Sequence, residues 1–503
     1  MSENNSLGAY MLKAINSIHL SGDSYTDIQT LFNHCCGLSE KADFKEDMIY
    51  LSTQGSLTID GGKVSSTHIA TCEDIAAEHL ADIMRNNMIC RPLPLTSIAV
   101  NGIQLSAEQR RAISVCLSHR LSLILGGAGT GKTTLIQGIF RQYSQSNGSY
   151  IGVAPTGKAA VNLRLKSGVQ SMTVHSLLGL GIESADDWID WSSIGLIVVD
   201  EASMMTIEML SGILEHCRHD CRIILIGDEN QLQSVGAGNV MNDLIELGFP
   251  VVQLFENHRQ EGESSALAQN VRNYSWLSGI EEMHFDDSFV LMDIPEYDMQ
   301  RAICDMAAEH YATGDSFQLL SPVNSSGSLS VSSLNNALHS VVNPCADKSG
   351  IIDNGNDLLW NGDRILVKQN NHSLGYCNGD IGTLRMHPEE SPLNLAALDL
   401  DGGRVCYLPT IDQINDLRLG YAITVHKSQG GEYDSVILPL CEYNQNMFTR
   451  NLLYTAISRA KRQIVLVGSR EMLDYAIRNH PRKRNSSLVQ KTRQAMDHSP
   501  HAA

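Results

Sequence analysis

Leu121-Ser-Leu-Ile-Leu-Gly126-Gly-Ala-Gly-Thr-Gly-Lys132-Thr133 is an apolar run of strand length that breaks into glycines and ends on a Lys-Thr pair. It fits the P-loop pattern G-x-x-x-x-G-K-[ST], with a strand before it and the helical segment Thr134–Phe140 after it. Glycines let backbone N–H groups curl around phosphates at little steric cost, and the N-terminus of the following helix adds a favourable dipole. Gly127, Gly129, Thr130, Gly131 and Thr134 then line a phosphate cradle. Lys132 reaches the β- and γ-phosphates of ATP, and Thr133 holds Mg²⁺.

Outward from this stretch, short apolar strands alternate with helical segments at Tyr150–Val153, Leu196–Val199 and Ile223–Ile226. That alternation predicts an α/β unit with a parallel sheet covered on both faces. It resumes at Val436–Leu438 and Ile464–Val467. Between about Gly375 and Ile411 the texture differs: Ala396–Asp401, Gly402-Gly403 and Arg404–Leu408 read as a hairpin, hence a small β-domain inserted into a second α/β unit. Before the P-loop, Ile28, Leu31, Phe32 and Cys35 share a helical face, Gly61-Gly62 joins two short strands, and Ala76, Leu80, Ile83 and Met84 mark another helix. Helices with a small hairpin suggest a winged-helix-like module, able to contact DNA or a protein partner or simply to brace the rest. The expected division is 1–100, 101–250 and 251–480, with a basic tail at 481–503 that frays.

The 503 residues suggest roughly three compact units. The first residues carry no basic or apolar leader pattern, and no apolar run approaches membrane-spanning length, so the expectation is a soluble, cytoplasmic protein. Twelve cysteines lack a repeating frame and read as reduced thiols. His216, Cys217, His219 and Cys221 could be drawn as a zinc site, but no second half-site accompanies them. The net charge of −19 argues, by itself, against a nucleic-acid partner. That argument does not reach a protein that needs only a weak local grip on its partner rather than a globally basic surface.

Strand Leu196–Val199 ends in Asp200-Glu201. A carboxylate at the C-terminal edge of a parallel sheet faces the P-loop, so Asp200 is the Mg²⁺ partner and Glu201 the candidate to orient and deprotonate water. Strand Ile223–Ile226 is followed by Gly-Asp228-Glu-Asn-Gln231, which places Gln231 where a γ-phosphate sensor would sit. Further motifs are Ala154-Pro-Thr-Gly-Lys-Ala-Ala160, Thr173-Val-His175-Ser-Leu-Leu178, Tyr421-Ala-Ile-Thr-Val-His-Lys-Ser-Gln-Gly-Gly-Glu432 and Leu453-Tyr-Thr-Ala-Ile-Ser-Arg459-Ala-Lys461.

In these motifs, in this order from about Leu105 to Gly468, the chain resembles the RecD-like branch of superfamily 1 DNA helicases. That family's P-loop reads Gly-Gly-Pro-Gly, and Ala128 stands here where it has proline. The resemblance implies two RecA-like P-loop domains, an inserted SH3-like β-domain, and 5′→3′ movement on single-stranded DNA driven by ATP with Mg²⁺. It implies that Gln109 reads adenine, that Glu432 touches the ribose, and that Arg259 and Arg459 act as arginine fingers. Gln429 would couple nucleotide state to the strand. Pro155, Thr156, Lys158, Thr173, His175, Thr424 and His426 would line the strand's path. The wedge expected in Gly179–Gly195 is short, so two alternatives stay open: a non-unwinding translocase subunit of a larger complex, and an ATP-gated DNA-binding scaffold.

Overall fold

Leu121–Gly126 is buried at every position because it lies inside a parallel sheet, between Arg222–Gly227 and Val251–Leu254. The computed structural model describes residues 7–35, 41–87, 99–100, 102–145, 148–180, 189–255, 265–313, 317–343, 350–371, 373–401 and 403–498. Its first sheet runs, edge to edge, Val251–Leu254, Leu121–Gly126, Arg222–Gly227, Ile194–Val199, Ser149–Ala154 and Ser171–Thr173, all parallel. Side chains alternate between faces, and both faces are apolar. Ile124, Val198 and Ile224 meet Ile113, Leu135 and Ile139 on one side. Leu123, Val199 and Leu225 meet Leu80, Leu210 and Ile213 on the other. This double burial explains why the strands read as unbroken hydrophobic runs.

The second parallel sheet runs Phe289–Met292, Ala460–Val467, Tyr433–Pro439, Phe317–Ser321 and Ala422–Thr424. Inserted in it is an antiparallel sheet of Val405–Leu408, Ala396–Leu400, Ile381–Met386, Arg364–Val367 and Leu417–Leu419. The insert therefore reaches beyond 375–411. Arg364–Val367 and Leu417–Leu419 pair with each other, joining chain ends that no turn motif links in sequence. The boundary at 250 also shifts, since Val251–Leu254 completes the first sheet.

Near the N-terminus, helices Leu7–Leu20, Ile28–Cys35 and Lys41–Thr53 cover a three-stranded sheet of Thr26–Asp27, Lys63–Ser66 and Leu57–Asp60. Its core is separate: Met11, Ile15, Leu31, Phe44, Leu57 and Val64. Helix Thr67–Arg85, capped by Ser66, buries Ala76 and Leu80 in the core of the first RecA-like unit, packing on helices Ile207–His216 and Leu488–His498.

The described part of the tail, residues 481–498, does not fray. Helix Leu488–His498 follows the second unit yet returns to the first, with Leu488 fully buried in that unit's core. Arg482 pairs with Asp23, and Lys491 with Glu73 and Asp74. Arg482 and Lys491 thus neutralise acids more than 400 positions away in sequence. Among the described residues, no helix is long and apolar enough to cross a membrane.

Candidate active site and nucleic-acid path

Gly129 (φ +85°) and Gly131 (φ +73°) turn the P-loop through the left-handed region that favours glycine. Helix Lys132–Ser144 begins at once, with Gly131 as its cap. Lys132 Nζ donates to the carbonyls of Gly126 (2.6 Å) and Gly127 (2.9 Å), and the Thr130 hydroxyl donates to Gly127 O (3.0 Å). The lysine is thus folded onto its own loop. Thr133 and Thr134, in the first helical turn, are half-buried.

Asp200 ends its strand, accepting from the Glu201 N–H at 2.9 Å. Burial first, then the Glu201 charge, pushes its carboxyl up to about 6, while Lys132 opposes the rise. Glu201 sits at φ +53°, ψ +38°, a conformation that costs a non-glycine residue about 1–3 kcal/mol. The expected catalytic carboxylate thus holds one of two positive-φ non-glycine positions among the described residues. Burial likewise raises Asp228, again opposed by Lys132. The donor set fits a nucleotide with a divalent cation: a hydroxyl at Thr133, a strand-end carboxylate at Asp200, and a cradle of loop N–H groups. Gln231 adds a buried side-chain oxygen, Oε1, that has no hydrogen-bond partner.

The second RecA-like unit closes directly over these residues. Asn451 Nδ2 donates to Gln231 O (2.9 Å), Leu232 N–H donates to Thr455 Oγ1 (2.8 Å), and Gln429 Nε2 donates to Leu232 O (3.0 Å). The Tyr454 hydroxyl accepts from the Ala128 N–H (3.2 Å) and donates to Asp228 Oδ2 (2.9 Å). Burial, then the Asp228 charge, holds this phenol well above the usual tyrosine range.

Two family models match the chain: an AAA domain over residues 104–283 and a UvrD-like helicase C-terminal domain over 419–467. The RecBCD enzyme subunit RecD of Mycolicibacterium smegmatis is 30% identical over 418 residues, covering 74% of this chain and 72% of that protein. The chain belongs to the RecD family of helicases. The ATP-dependent RecD2 DNA helicase of Deinococcus radiodurans is also 30% identical, over 391 residues, covering 77% of this chain. The chain spans about half of that protein's length, 52%. Among solved structures, Bacteroides Pif1 bound to ssDNA aligns at TM-score 0.46 and 19% identity, covering 74% of this chain and 94% of that one.

In this RecD-family chain, Lys132, Thr133, Asp200, Glu201 and Gln231 gather around the P-loop. Gln109 is buried in the first turn of helix Ala107–Ser118, where its Oε1 accepts from the Ser106 N–H in a capping box, so its oxygen is already engaged. Arg459 is buried in its own unit, donating to Gly431 O (3.2 Å), Thr455 O (3.3 Å) and Ser458 Oγ (3.3 Å). Glu432 pairs with Lys166 of the first unit at 3.5 Å. Arg259 and residues 181–188 of the expected wedge lie outside the described residues.

The proposed strand path follows the C-terminal ends of neighbouring strands. Ala154 is paired with Thr173 in register, which sets Pro155 and Thr156 beside His175. Ser321 is paired with Thr424 in the second sheet. Thr156 and Thr173 both cap helices, accepting from the N–H groups of Ala159 and Ser176. His175 is exposed, while His426 is half-buried and lowered by burial and by Arg484. Lys158 instead donates to the Tyr433 hydroxyl across the units at 3.1 Å.

Sequence reasoning gave no role to Tyr454, Asp228, Asn451 and Thr455, although all but Asn451 lie inside quoted motifs. It also missed Lys427, whose ammonium burial, Lys368 and Arg418 lower to about 7. The residues drawn as a zinc site go separate ways: His216 bonds Gly212 O, Cys217 Leu214 O, and His219 Asp82.

Proposed function

We propose that this chain is an ATP-driven DNA motor that moves 5′→3′ along single-stranded DNA and separates duplex ahead of it. The observation that carries the reading is the three-point grip on one segment: Asn451, Thr455 and Gln429 of the second unit hold the backbone of Gln231 and Leu232 in the first. Any rearrangement of Gln231 in response to nucleotide is therefore passed to the unit that carries Thr424, His426 and Lys427. That is the coupling a stepping motor needs.

When bound, ATP supplies the phosphoryl group and Mg²⁺ neutralises charge on it. Thr133 and Asp200 would hold the metal. Lys132 exchanges its contacts with the Gly126 and Gly127 carbonyls for phosphate oxygens. Glu201 orients water and takes its proton, and Arg459 leaves its backbone carbonyl partners to stabilise developing charge, joined by Arg259. Strand contacts come from the strand ends at Pro155, Thr156, Thr173, His175, Thr424 and His426.

A second reading, a motor subunit within a larger complex, is favoured by the names of the RecBCD subunit relatives. Exposed Leu20, Ile49 and Tyr50 on the N-terminal module would offer a protein partner apolar contact. Strand displacement on duplexes with a 5′ or a 3′ overhang tests both. Displacement from the 5′ overhang alone supports an autonomous helicase. Stripping of a protein block from single strands without displacement supports the subunit reading, and neither activity contradicts both.

A further inference from the structure

Gln231-Leu-Gln-Ser-Val-Gly-Ala-Gly238 leaves the first unit's sheet just after Asp228 and is held at both ends. Asn451, Thr455 and Gln429 of the second unit grip the backbone of its first two residues. The far end is held from outside both sheets. Arg484 Nη1 donates to Ser234 Oγ (2.8 Å) and to Gly238 O (3.0 Å), and its Nη2 donates to Ser234 O. The Gly238 N–H donates to Gly22 O of the N-terminal module at 3.0 Å.

Arg484 is itself anchored. It lies between helix Arg470–Arg478, packed in the second unit's core, and helix Leu488–His498, packed in the first. On one side of it, Arg482 donates to both oxygens of Asp23. On the other, the Asn485 N–H donates to Asp23 Oδ1 (2.7 Å), and the Ser24 N–H donates to Asn485 O (2.8 Å). One carboxylate thus ties the chain on both sides of Arg484 to the N-terminal module. The guanidinium lies against Gly22, where a Cβ would come within 2.2 Å of Nε. Gly22 also sits at φ +107°, in the region that favours glycine.

A segment passes a displacement from one end to a partner only when its other end is held. Gly236 (φ +127°) and Gly238 (φ +110°) would otherwise let this one yield locally. Hydrogen bonds from an ionised donor are roughly twice as strong as neutral ones, and a planar guanidinium also fixes their direction. The arginine faces the second unit as well, since its charge, after burial, lowers the His426 ring.

We infer that Arg484 is a positioning residue that fixes the far end of the Gln231–Gly238 segment and so makes the C-terminal strap and the N-terminal module part of the coupling between nucleotide and strand. It lies beyond the stretches that the two family models match, 104–283 and 419–467.

The inference rests on the motor reading and on Gln231 as the residue that answers to nucleotide. The test is steady-state ATP hydrolysis by the full chain with and without single-stranded DNA. The ratio of the two rates is compared for wild type, Arg484→Ala, Gly22→Ala, Gln429→Ala and the double variant Arg484→Ala with Gln429→Ala. A hydrogen bond from a charged donor is worth about tenfold in an equilibrium constant, so Arg484→Ala should lower the ratio about tenfold. The loss should fall on DNA-stimulated kcat and not on KM for ATP. Gly22→Ala substitutes no residue of either RecA-like unit but displaces the guanidinium, and should lower the ratio by a similar factor. Both grips act on one segment, so the double variant should fall no further than Arg484→Ala. A residue that merely braces the fold would instead multiply its effect with that of Gln429→Ala. An unchanged ratio in either folded single variant of the anchor, a loss carried by KM, or a double variant whose loss is the product of the two overturns the inference. If Arg484→Ala does not fold, Gly22→Ala decides alone: a lowered ratio upholds the anchor and an unchanged ratio overturns it. A wild type that DNA does not stimulate overturns the motor reading itself, a different result from a stimulated wild type whose ratio the variants leave unaltered.

Discussion

Gln429 donates its side-chain Nε2 to the backbone carbonyl of Leu232 at 3.0 Å, so a loop of the second RecA-like unit holds the segment that follows Asp228 in the first. The amide oxygens of Gln429 and Gln231 are both buried there without partners. Two unsatisfied acceptors beside one interdomain grip make this the part of the cleft most responsive to an added ligand. Gln429→Ala removes a single hydrogen bond of about 1 kcal/mol, so the ratio of DNA-stimulated to DNA-free ATP hydrolysis should fall about fivefold. Steady-state hydrolysis with and without an oligonucleotide checks it, and an unchanged ratio would show that Gln429 carries no coupling.

Burial, then the nearby Lys368 and Arg418, lower the Lys427 ammonium to about 7. A phosphate between them would relieve that repulsion. Removing one cation that neutralises a phosphate should reduce the salt dependence of single-strand binding by a slope of about 0.7. Lys427→Ala should flatten the plot of log affinity against log salt by about that amount, read by fluorescence anisotropy. A parallel plot would place the strand elsewhere.

Asp243 is buried and pushed up to about 7 even though the Ser486 hydroxyl donates to it at 2.6 Å. Its folded pKa lies above its ordinary value, so the folded state binds the proton more tightly. Stability from this group is therefore full below about pH 4, declines as pH rises and is gone above about pH 7. Asp243→Asn should match the parent in urea denaturation near pH 4 and exceed it at pH 8 by about 1–4 kcal/mol. An equal difference at both pH values would sink the assignment.

Much of this fold is legible in sequence because its strands are doubly buried and its turns carry glycine. The P-loop, the Asp200-Glu201 strand end and the Gly61-Gly62 hairpin each combine a local pattern with a local cause. What is not legible depends on pairing across distance. Arg364–Val367 becomes part of the small β-domain only because Leu417–Leu419 arrives beside it. Arg482 and Lys491 read as a charged end until Asp23 and Glu73 are seen opposite them. Tyr454 could be found within its motif, but that its hydroxyl reaches Ala128 follows only from the closure of one unit on the other.

The returning tail has a measurable consequence. Leu488 is fully buried against the first unit, so Leu488→Ala should cost about 2–5 kcal/mol in chemical denaturation, where a frayed tail would show no change.

If a P-loop gripped by a second RecA-like unit converts ATP hydrolysis into movement on single-stranded DNA, hydrolysis must depend on both the loop and the strand. Steady-state ATP hydrolysis by the full chain, with and without single-stranded DNA and beside Lys132→Ala, reads both dependences at once. Strong stimulation by DNA is expected, together with a decrease of at least about a hundredfold in the variant, the scale seen when a donor to developing charge is removed. Weak hydrolysis that ignores DNA, or activity that survives Lys132→Ala, would contradict the motor.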